Sequence, residues 1–174
     1  VAWRVLDSQF FGVAQRRRRV FLVGRLGAEP PVEVLFEPDG LRRDYPSSRE
    51  KRASLAARAG RGAEAAGGAV GPEPLWCLAD DNSKAALDLD MCGTLKAYSA
   101  PPRANVGGVV RRLTPLECER LQGFPDNHTR IPWRGRPEAE CPDGPRYKAI
   151  GNSMAVPVMR WIGERIGAAD GQEK

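Results

Sequence analysis

Four arginines stand directly before an apolar run in the segment QRRRRVFLVG, residues 15–24. The apolar run ends at Gly24, which is typical of a short strand that is buried on both faces of a parallel sheet. The opening residues VAWRVL, 1–6, are β-branched and aromatic enough to form a second strand. We therefore expect two neighbouring strands, at 1–6 and 20–23, with the C-terminal helix packed nearby.

The polar side chains of this segment belong to two sets. Side chains alternate along an extended backbone, so Gln15, Arg17 and Arg19 point to one side while Arg16 and Arg18 point to the other. Arg19 lies at the start of the strand, where rigid backbone holds its guanidinium in place. A guanidinium stays charged and offers a planar fork of N–H donors, which suits a phosphate or the polar edge of a base. The residues alone leave open a solvated basic stretch or a nuclear localisation signal.

The composition favours an anionic partner over a metal site. The 174 residues carry 27 Lys and Arg against 22 Asp and Glu, and the pI is near 9.3, so nucleic acid is the expected partner. The four cysteines form no C-x-x-C pair and have one histidine to join them, so we expect reduced thiols and no metal. No apolar stretch approaches the roughly 18 residues of a membrane span, and no signal peptide opens the chain. We expect a soluble, cytoplasmic protein that does not contact a membrane.

The middle of the chain has little regular pattern. We expect an edge strand or hairpin arm at the apolar run 32–36, which lies between proline-marked turns. Residues 47–72 are rich in alanine, glycine and charge. They predict at most one short helix, beginning at Ser47, in a flexible insertion that covers about 53–72.

A short helix is indicated in the segment RRLTPLECERLQGFP. Thr114 can cap this helix, Pro115 suits its first position, and Glu117 completes a capping box. Gly123 supplies the stop signal. We expect this segment to serve mainly a structural purpose.

A second helix is expected after the sequence GNS, residues 151–153. Asn152 or Ser153 can cap it, and Pro157 is tolerable only in its first turn. The apolar residues that recur on one of its faces are Val156, Met159, Ile162 and Ile166. This face must pack against another apolar surface.

Three segments resemble sequence blocks of the DNA (cytosine-5)-methyltransferases. FFGVAQRRRRVFLVG resembles the family's Gln-x-Arg-x-Arg block, RRLTPLECERLQGFPDNHT its next block, and RYKAIGNSMAVPVMRWI its last block. The blocks occur in the family's order and cover residues 1–26 and 108–167 well. The resemblance implies the C-terminal part of an α/β, Rossmann-like (doubly wound) methyltransferase domain that carries a small irregular target-recognition domain. Such enzymes act in DNA methylation and restriction–modification.

The resemblance divides the chain into five parts. Residues 1–26 would be the last strands of the catalytic domain, and residues 27–107 the target-recognition region. Residues 108–150 would support the small domain, and 151–167 would form a helix that returns to the catalytic domain. Residues 168–174 would be a disordered tail.

The resemblance implies a chemical role for the first polar set. In that family a cysteine thiolate adds to C6 of a cytosine flipped out of the duplex, C5 takes the methyl group of S-adenosylmethionine, and elimination restores the ring. Addition at C6 pushes negative charge towards O2 and N3, so a fixed cation at O2 stabilises the transition state. Arg19 matches the family's arginine for that role. Arg17 matches the arginine that holds the DNA backbone and the active-site loop, and Gln15 matches the residue that orders the turn.

The resemblance also implies a cofactor site for S-adenosylmethionine. Gly151, Asn152 and Ser153 match the turn that lines this site in the family. A helix N-terminus after the turn would attract the carboxylate of the cofactor. An ordinary capped helix explains the same residues without a cofactor, and that alternative stays open.

DNA contacts are expected at four residues. Thr94 and Leu95 match a Thr-Leu pair near the end of the family's target-recognition domain, which reads base edges in the major groove. Arg17 and Arg112 are the other two predicted contacts. Arg112 can equally pack on the recognition domain.

The family's earlier blocks do not precede the arginine run. The sequence has no glycine-rich cofactor loop, Pro-Cys nucleophile or Glu-Asn-Val carboxylate there, and neither Cys118 nor Cys141 stands in the required order. We therefore expect the chain to be inactive alone and to act on double-stranded DNA with an N-terminal methyltransferase half. That half would be a separate chain or a missing part of this one, which also fits a first residue, Val1, that is not methionine. A non-catalytic DNA-binding remnant or recognition subunit, and an unrelated basic nucleic-acid-binding module, remain as alternatives.

Overall fold

The computed structural model describes residues 1–29, 31–36, 76–78, 87–89, 92–95, 103–106 and 109–171. The strands in these residues are β1 (Ala2–Asp7), β2 (Arg18–Val23), β3 (Trp76–Leu78), β4 (Leu87–Leu89), β5 (Arg103–Val106) and β6 (Val109–Arg112). The α-helices there are α1 (Val32–Leu35), α2 (Pro115–Leu121), α3 (Asp143–Asn152) and α4 (Val156–Gly171), with 3-10 turns at Ser8–Phe11 and Glu138–Glu140. The chain is mixed α/β, as predicted.

The described strands form two antiparallel sheets. β1 pairs with β2, and the other four strands follow in the order β4-β3-β5-β6. The expectation that the first two strands belong to parallel pairing is wrong for this pair. Parallel strands need a long crossover, whereas a single 3-10 turn and a short loop lead from β1 into β2 and bring the chain back alongside itself.

The β1–β2 hairpin is buried on one face only. Ala2 and Leu6 face inward. The opposite face carries four apolar side chains that are 41% to 67% exposed and lie opposite one another on the two strands: Trp3, Val5, Val20 and Leu22. The expected burial on both faces is therefore wrong for this chain, because nothing in its described part covers these four residues. They are called the outer apolar face below.

The C-terminal helix packs against the inner face of the hairpin, as predicted. Ala155, Val158 and Ile162 join Ala2 and Leu6 in one buried cluster. Burial of a side chain such as Leu6, Val158 or Ile162 contributes about 1.5–3 kcal/mol relative to an exposed one, so this contact holds the two ends of the chain together.

The GNS sequence ends one helix and does not cap the next. Asn152 is the last residue of α3, and Ser153 is the C-cap of that helix. Helix α3 was not predicted, and α4 begins only at Val156. Pro157 lies in the first turn of α4, as the sequence required. The prediction that Asn152 or Ser153 caps the second helix is therefore wrong.

The buried stripe of α4 differs from the predicted one. Ile162 is buried as expected, whereas Met159 and Ile166 are 43% and 39% exposed. Val158 and Ala155, the residue just before α4, take the buried places, because with Ile162 they follow the i, i+3, i+7 spacing that keeps residues on one helix face.

Two expectations concerned disorder. α4 continues through Gly171, so the first residues of the segment 168–174 are helical and not a disordered tail. The flexible insertion at 53–72 and the short helix expected from Ser47 lie outside the described residues.

The run predicted as an edge strand, 32–36, contains the short helix α1 instead. Val34 and Leu35 are both fully buried in the same cluster, and consecutive residues of a strand would face opposite sides. Arg165 of α4 donates to the carbonyl oxygens of Val34 at 2.9 Å and Phe36 at 2.8 Å. A side chain far along the sequence therefore stabilises the end of this helix.

Helix α2 has the caps that the sequence predicted. Thr114 Oγ1 accepts a hydrogen bond from the Glu117 N–H, and the Glu117 carboxylate accepts one from the Thr114 N–H at 2.7 Å. Arg111 donates to both carboxylate oxygens of Glu117, at 2.9 and 2.7 Å. Burial alone would raise the pKa of Glu117, but the hydrogen bonds from Arg111 and Thr114 outweigh burial and lower that pKa. These bonds fix α2 to β6.

Gly123 follows α2 and packs closely against α4. Its φ of +77° lies in the left-handed region, and a Cβ there would lie 2.8 Å from Cδ of Pro157. Both the backbone conformation and the contact require glycine.

The substitution Gly123→Ala is expected to lower the free energy of unfolding by about 1–3 kcal/mol, because it adds backbone strain and displaces Pro157. Gly163→Ala in α4 is the matched control. A Cβ at Gly163 meets nothing within 4 Å, so this change is expected to raise the free energy of unfolding by about 0.5–1 kcal/mol. Denaturant titration of both purified variants measures the pair, and a stabilising Gly123→Ala would contradict the account.

In the described residues, no helix is both long enough and apolar enough to cross a membrane. Within that same part of the chain, no three His, Cys, Asp or Glu side chains are grouped so that they could hold a metal ion. Cys92 and Cys118 are buried, and Cys141 is half-buried.

Candidate functional site

Arg17 lies at the centre of the candidate site and is only 4% exposed. Its guanidinium donates through Nη1 to the carbonyl oxygen of Leu95 at 2.8 Å. Through Nη2 it donates to the carbonyl oxygens of Gly151 at 2.9 Å and Ser153 at 2.5 Å. One side chain therefore joins the arginine segment, the Thr94–Leu95 segment and residues 151–153, where α3 ends; these three residues are called the turn at 151–153 below.

The charge of Arg17 is stabilised by these carbonyl dipoles. Burial, followed by repulsion from Arg19, lowers the pKa of Arg17 to about 10. Arg17 thus remains a cation at neutral pH. The Asp7 carboxylate accepts from the backbone N–H of Arg17 at 3.0 Å and so fixes the chain just before β2.

Arg19 lies in β2, directly opposite Leu6 of β1, and its side chain is exposed. Its Nη1 donates to the carbonyl oxygen of Arg18 at 2.8 Å. Arg19 is close enough to Arg17 to lower the pKa of Arg17, so the two cations lie in one electrostatic environment. Two neighbouring cations, of which Arg19 is exposed on a strand, favour the binding of an anion or of a group that becomes negative.

Gln15 is fully buried in the segment that precedes the strand. Its carbonyl oxygen accepts from Ser8 Oγ at 2.6 Å. The neighbouring residues exchange backbone hydrogen bonds with Cys92, from Arg16 N–H to Cys92 O at 2.8 Å and from Cys92 N–H to Ala14 O at 2.9 Å. Among the described residues, the side-chain amide of Gln15 has no hydrogen-bond partner.

Thr94 and Leu95 lie against the arginine segment. Thr94 Oγ1 donates to the carbonyl oxygen of Arg16 at 2.9 Å, and Leu95 is buried with its carbonyl oxygen bound to Arg17. Arg112 is exposed on β6, and in the described part of the chain no hydrogen bond joins its side chain to this cluster. The structure therefore brings three of the four predicted DNA contacts together and leaves Arg112 apart.

The turn at 151–153 offers acceptors where the sequence predicted donors. The carbonyl oxygens of Gly151 and Ser153 face Arg17, and the backbone N–H of Val156 donates to the Gln122 carbonyl oxygen at 2.8 Å. Pro157 has no N–H. The argument that a helix N-terminus beside this turn attracts a carboxylate is therefore wrong, because α4 begins later and its first donor is already bound.

Gln122 is a site residue that the sequence reasoning missed. Its side chain is fully buried at the C-cap of α2. Nε2 donates to the carbonyl oxygen of Ile150 at 2.7 Å, and Oε1 accepts from Ser153 Oγ at 2.9 Å. The signal that could have found it is an amide side chain between buried Leu121 and Gly123, at a position where an apolar residue would be expected.

A second buried polar group braces the same helices. Glu119 of α2 is fully buried and accepts from the Thr129 N–H at 2.8 Å and from Arg146 Nη2 of α3 at 3.2 Å. This ion pair joins α2 to α3 and does not involve residues 151–153. It stabilises the packing of α2 on α3 and was not predicted.

Comparison with known proteins decides the family. A family model described as C-5 cytosine-specific DNA methylase matches residues 1–62 and 77–168. The chain belongs to this methylase family. The resemblance of its three sequence blocks to cytosine-5 methyltransferases is thereby confirmed.

Individual relatives match the methylase chain over nearly all of its length. A protein of Escherichia phage P1 named DNA N-6-adenine-methyltransferase is 33% identical over 282 positions, which cover 100% of this chain and 37% of that protein. Type II methyltransferase M2.BsuMI of Bacillus subtilis (strain 168) is 28% identical, with 98% of this chain and 41% of that protein covered. Type II methyltransferase M.NlaX of Neisseria lactamica is 29% identical, with 95% and 51% covered. The methylase chain thus spans about a third to a half of the length of these relatives.

The three sequence blocks of the methylase chain meet in space. Arg17 comes from the first block, Gln122 from the second, and Gly151 and Ser153 from the third. Arg17 and Gln122 bind the turn at 151–153, and Arg17 also binds the Thr94–Leu95 segment. This arrangement can hold an exposed cation, Arg19, in a fixed relation to a polar turn.

Proposed function

We propose that the chain is the C-terminal part of a DNA (cytosine-5-)-methyltransferase. The whole enzyme would transfer a methyl group from S-adenosylmethionine to C5 of a cytosine flipped out of double-stranded DNA. The observation that carries this proposal is the Arg17 cluster, which joins the arginine segment to the turn at 151–153 and leaves Arg19 exposed beside it. Membership of the C-5 cytosine-specific methylase family supports the same reaction.

Arg19 is the residue that we propose to act on the base. Addition of a nucleophile at C6 puts negative charge on the pyrimidine O2, and a guanidinium held on a strand can donate to that oxygen without reorganising. Arg17 takes a different part in this proposal. Its guanidinium is already bound to three carbonyl oxygens, so it positions the site and its predicted direct contact with DNA stays a prediction. Gln15 orders the turn that leads into both arginines.

Asn152 is the residue of the turn that best fits a bound cofactor. Its side chain is exposed, and in the described part of the chain that side chain makes no hydrogen bond. An amide can donate to the carboxylate and accept from the ammonium of an amino acid, which are the polar groups at one end of S-adenosylmethionine. The cofactor, when bound, supplies the methyl group. Ser153 would hold the turn in place, since its hydroxyl lies 2.9 Å from Gln122 Oε1 and 2.8 Å from the carbonyl oxygen of Ile150 and can donate its one proton to either acceptor.

The outer apolar face supports an N-terminal partner half. An isolated two-stranded hairpin is marginally stable in water, and contiguous exposed apolar residues mark an interaction surface. Trp3, Val5, Val20 and Leu22 form such a surface on the hairpin that also carries Arg19. We propose that this face packs against the half of the Rossmann-like domain that carries the nucleophile, whether that half is a separate chain or part of the same one. The same proposal includes a target-recognition region at 27–107. It also includes DNA contacts by Thr94, Leu95 and Arg112 and a cytoplasmic location.

Methyl transfer tests the proposal directly. S-adenosylmethionine labelled in its methyl group is incubated with duplex DNA and this chain alone, with the polypeptide that carries the family's earlier blocks alone, and with both. Incorporation only in the mixture is expected, since the sequence has no Pro-Cys nucleophile. A mixture in which the nucleophilic cysteine of the other polypeptide is replaced by serine is the control and should be inactive. A folded complex that binds DNA but transfers no label would support a non-catalytic DNA-binding remnant instead.

A further inference from the structure

Gln122 connects to both ends of the turn at 151–153. On one side its Nε2 donates to the carbonyl oxygen of Ile150, in the last turn of α3. On the other side its Oε1 accepts from the hydroxyl of Ser153, and its backbone carbonyl oxygen accepts from the N–H of Val156, the first residue of α4. Gln122 therefore fixes where one helix ends and where the next begins.

We propose that Gln122 is the positioning residue of the turn at 151–153 and thereby sets the affinity of the methylase for S-adenosylmethionine. This inference rests on the proposed function, because it requires that the turn contacts the cofactor. A residue of the second sequence block would thus position the turn that contacts the cofactor. Gln122 would act through Ser153 and the backbone, and it would not itself touch the cofactor.

Burial makes the hydrogen bonds of the Gln122 side chain difficult to replace. The side chain of Gln122 is fully buried, so water does not readily replace its hydrogen bonds. An apolar side chain at the same position would leave the carbonyl oxygen of Ile150 and the hydroxyl of Ser153 without a partner from this residue. The Ser153 hydroxyl would keep its contact with the carbonyl oxygen of Ile150 at 2.8 Å, but both hydrogen bonds of the buried amide would be lost, so the turn would be held less firmly.

Arg17 holds the same turn from another direction. It binds the carbonyl oxygens of Gly151 and Ser153, whereas Gln122 binds the Ser153 hydroxyl and the carbonyl oxygen of Ile150. Loss of the Gln122 side chain therefore removes some of the hydrogen bonds that hold the turn, while those from Arg17 remain. The expected effect is a graded loss of cofactor affinity and not a loss of the fold.

Glu119 provides a matched control. It is also fully buried and polar, and it lies in α2 three residues before Gln122. Its carboxylate accepts hydrogen bonds from Thr129 and Arg146 and not from the turn. Glu119→Gln should therefore lower stability while leaving the cofactor affinity unchanged, which separates a general packing defect from displacement of the turn.

The test uses the complete methylase, with the polypeptide that supplies the earlier blocks, and the variants Gln122→Met, Ser153→Ala, their combination, and Glu119→Gln. Isothermal titration with S-adenosylhomocysteine gives the cofactor Kd, and steady-state kinetics give KM for S-adenosylmethionine and kcat. Gln122→Met is expected to raise Kd and KM about 10- to 100-fold. kcat at saturating cofactor and the DNA Kd are expected to stay within about twofold of the parent values. The combined variant should lose less than the product of the two single losses, because Ser153 and Gln122 share a hydrogen bond.

The outcomes are distinct. A folded Gln122→Met or Ser153→Ala variant with an unchanged cofactor Kd would overturn the inference, as would equal cofactor losses in Glu119→Gln. If Gln122→Met does not fold, Ser153→Ala alone decides, since it removes only one hydroxyl. A parent complex that binds no S-adenosylhomocysteine and transfers no methyl group would refute the proposed function itself. Parent binding with unaltered variants refutes only the role of Gln122.

Discussion

Arg19→Ala in the complete methylase is expected to lower kcat by about 10²- to 10³-fold, the loss typical of removing one donor that stabilises developing negative charge. The DNA Kd is expected to change by less than about threefold, because one exposed cation contributes little to the electrostatic attraction of a duplex. Arg19→Lys should recover part of the rate, since it keeps the charge and loses the planar fork.

Arg18→Ala is the matched control for this prediction. Arg18 is the neighbouring exposed arginine of β2, and it lies on the opposite face of the strand. Single-turnover rates of labelled methyl transfer and filter binding of the same duplex measure the two quantities. Equal losses in rate and DNA affinity for Arg19→Ala, or equal rate losses in the two variants, would contradict a role for Arg19 at the base.

Arg17→Met is expected to lower the free energy of unfolding by about 3 kcal/mol. The substitution removes the donor from the carbonyl oxygens of Leu95, Gly151 and Ser153, and each buried acceptor left unpaired costs about 1–3 kcal/mol. Relief from burying a cation offsets part of this loss. Arg17→Lys should be intermediate, because a single ammonium cannot follow both directions of the guanidinium fork.

Denaturant titration and amide hydrogen exchange measure this effect. Exchange is expected to quicken most at Thr94, Leu95 and the turn 151–153, because Arg17 joins these segments by hydrogen bonds. Arg18→Met is the control for loss of an exposed arginine and should change the free energy of unfolding by less than about 0.5 kcal/mol. An Arg17→Met variant that is as stable as this control would show that the carbonyl contacts contribute nothing.

The sequence predicted those features of the fold that depend on local pattern. The capping box of Thr114 and Glu117 formed as expected, because both partners lie within one helical turn. The two N-terminal strands and the nearby C-terminal helix were also correct. The pairing direction and the uncovered face of the hairpin were not, because an apolar run does not reveal which of its neighbours are present in the same chain.

Two helices show how distant contacts override local pattern. The run 32–36 is an apolar run between proline-marked turns, yet it contains α1, where Arg165, 131 residues from Val34, binds the Val34 carbonyl oxygen. Helix α3 was missed because its sequence, DGPRYKAIGN, contains two glycines and a proline and has little apolar periodicity. Its buried Arg146 instead pairs with Glu119 of α2.

The sequence predicted which residues belong to the site but not which of them are joined by hydrogen bonds. The arginine segment and the GNS turn were both identified from the sequence, whereas the bond between Arg17 and Gly151 spans 134 residues. The acceptors of Arg17 are backbone carbonyl oxygens. Every residue has one, so the sequence does not show which of them will bind a distant side chain. The role of Gln122 was hidden for the same reason, because a helix cap explained its segment adequately.

The identity of the methylated base tests the central claim most directly. DNA labelled by the complete methylase is digested to nucleosides, and the labelled nucleoside is identified by chromatography and mass spectrometry. We predict that all of the label is in 5-methylcytosine and that none appears without the polypeptide that carries the nucleophile. Label in N6-methyladenine, the base modification named in the phage P1 relative, would contradict the account.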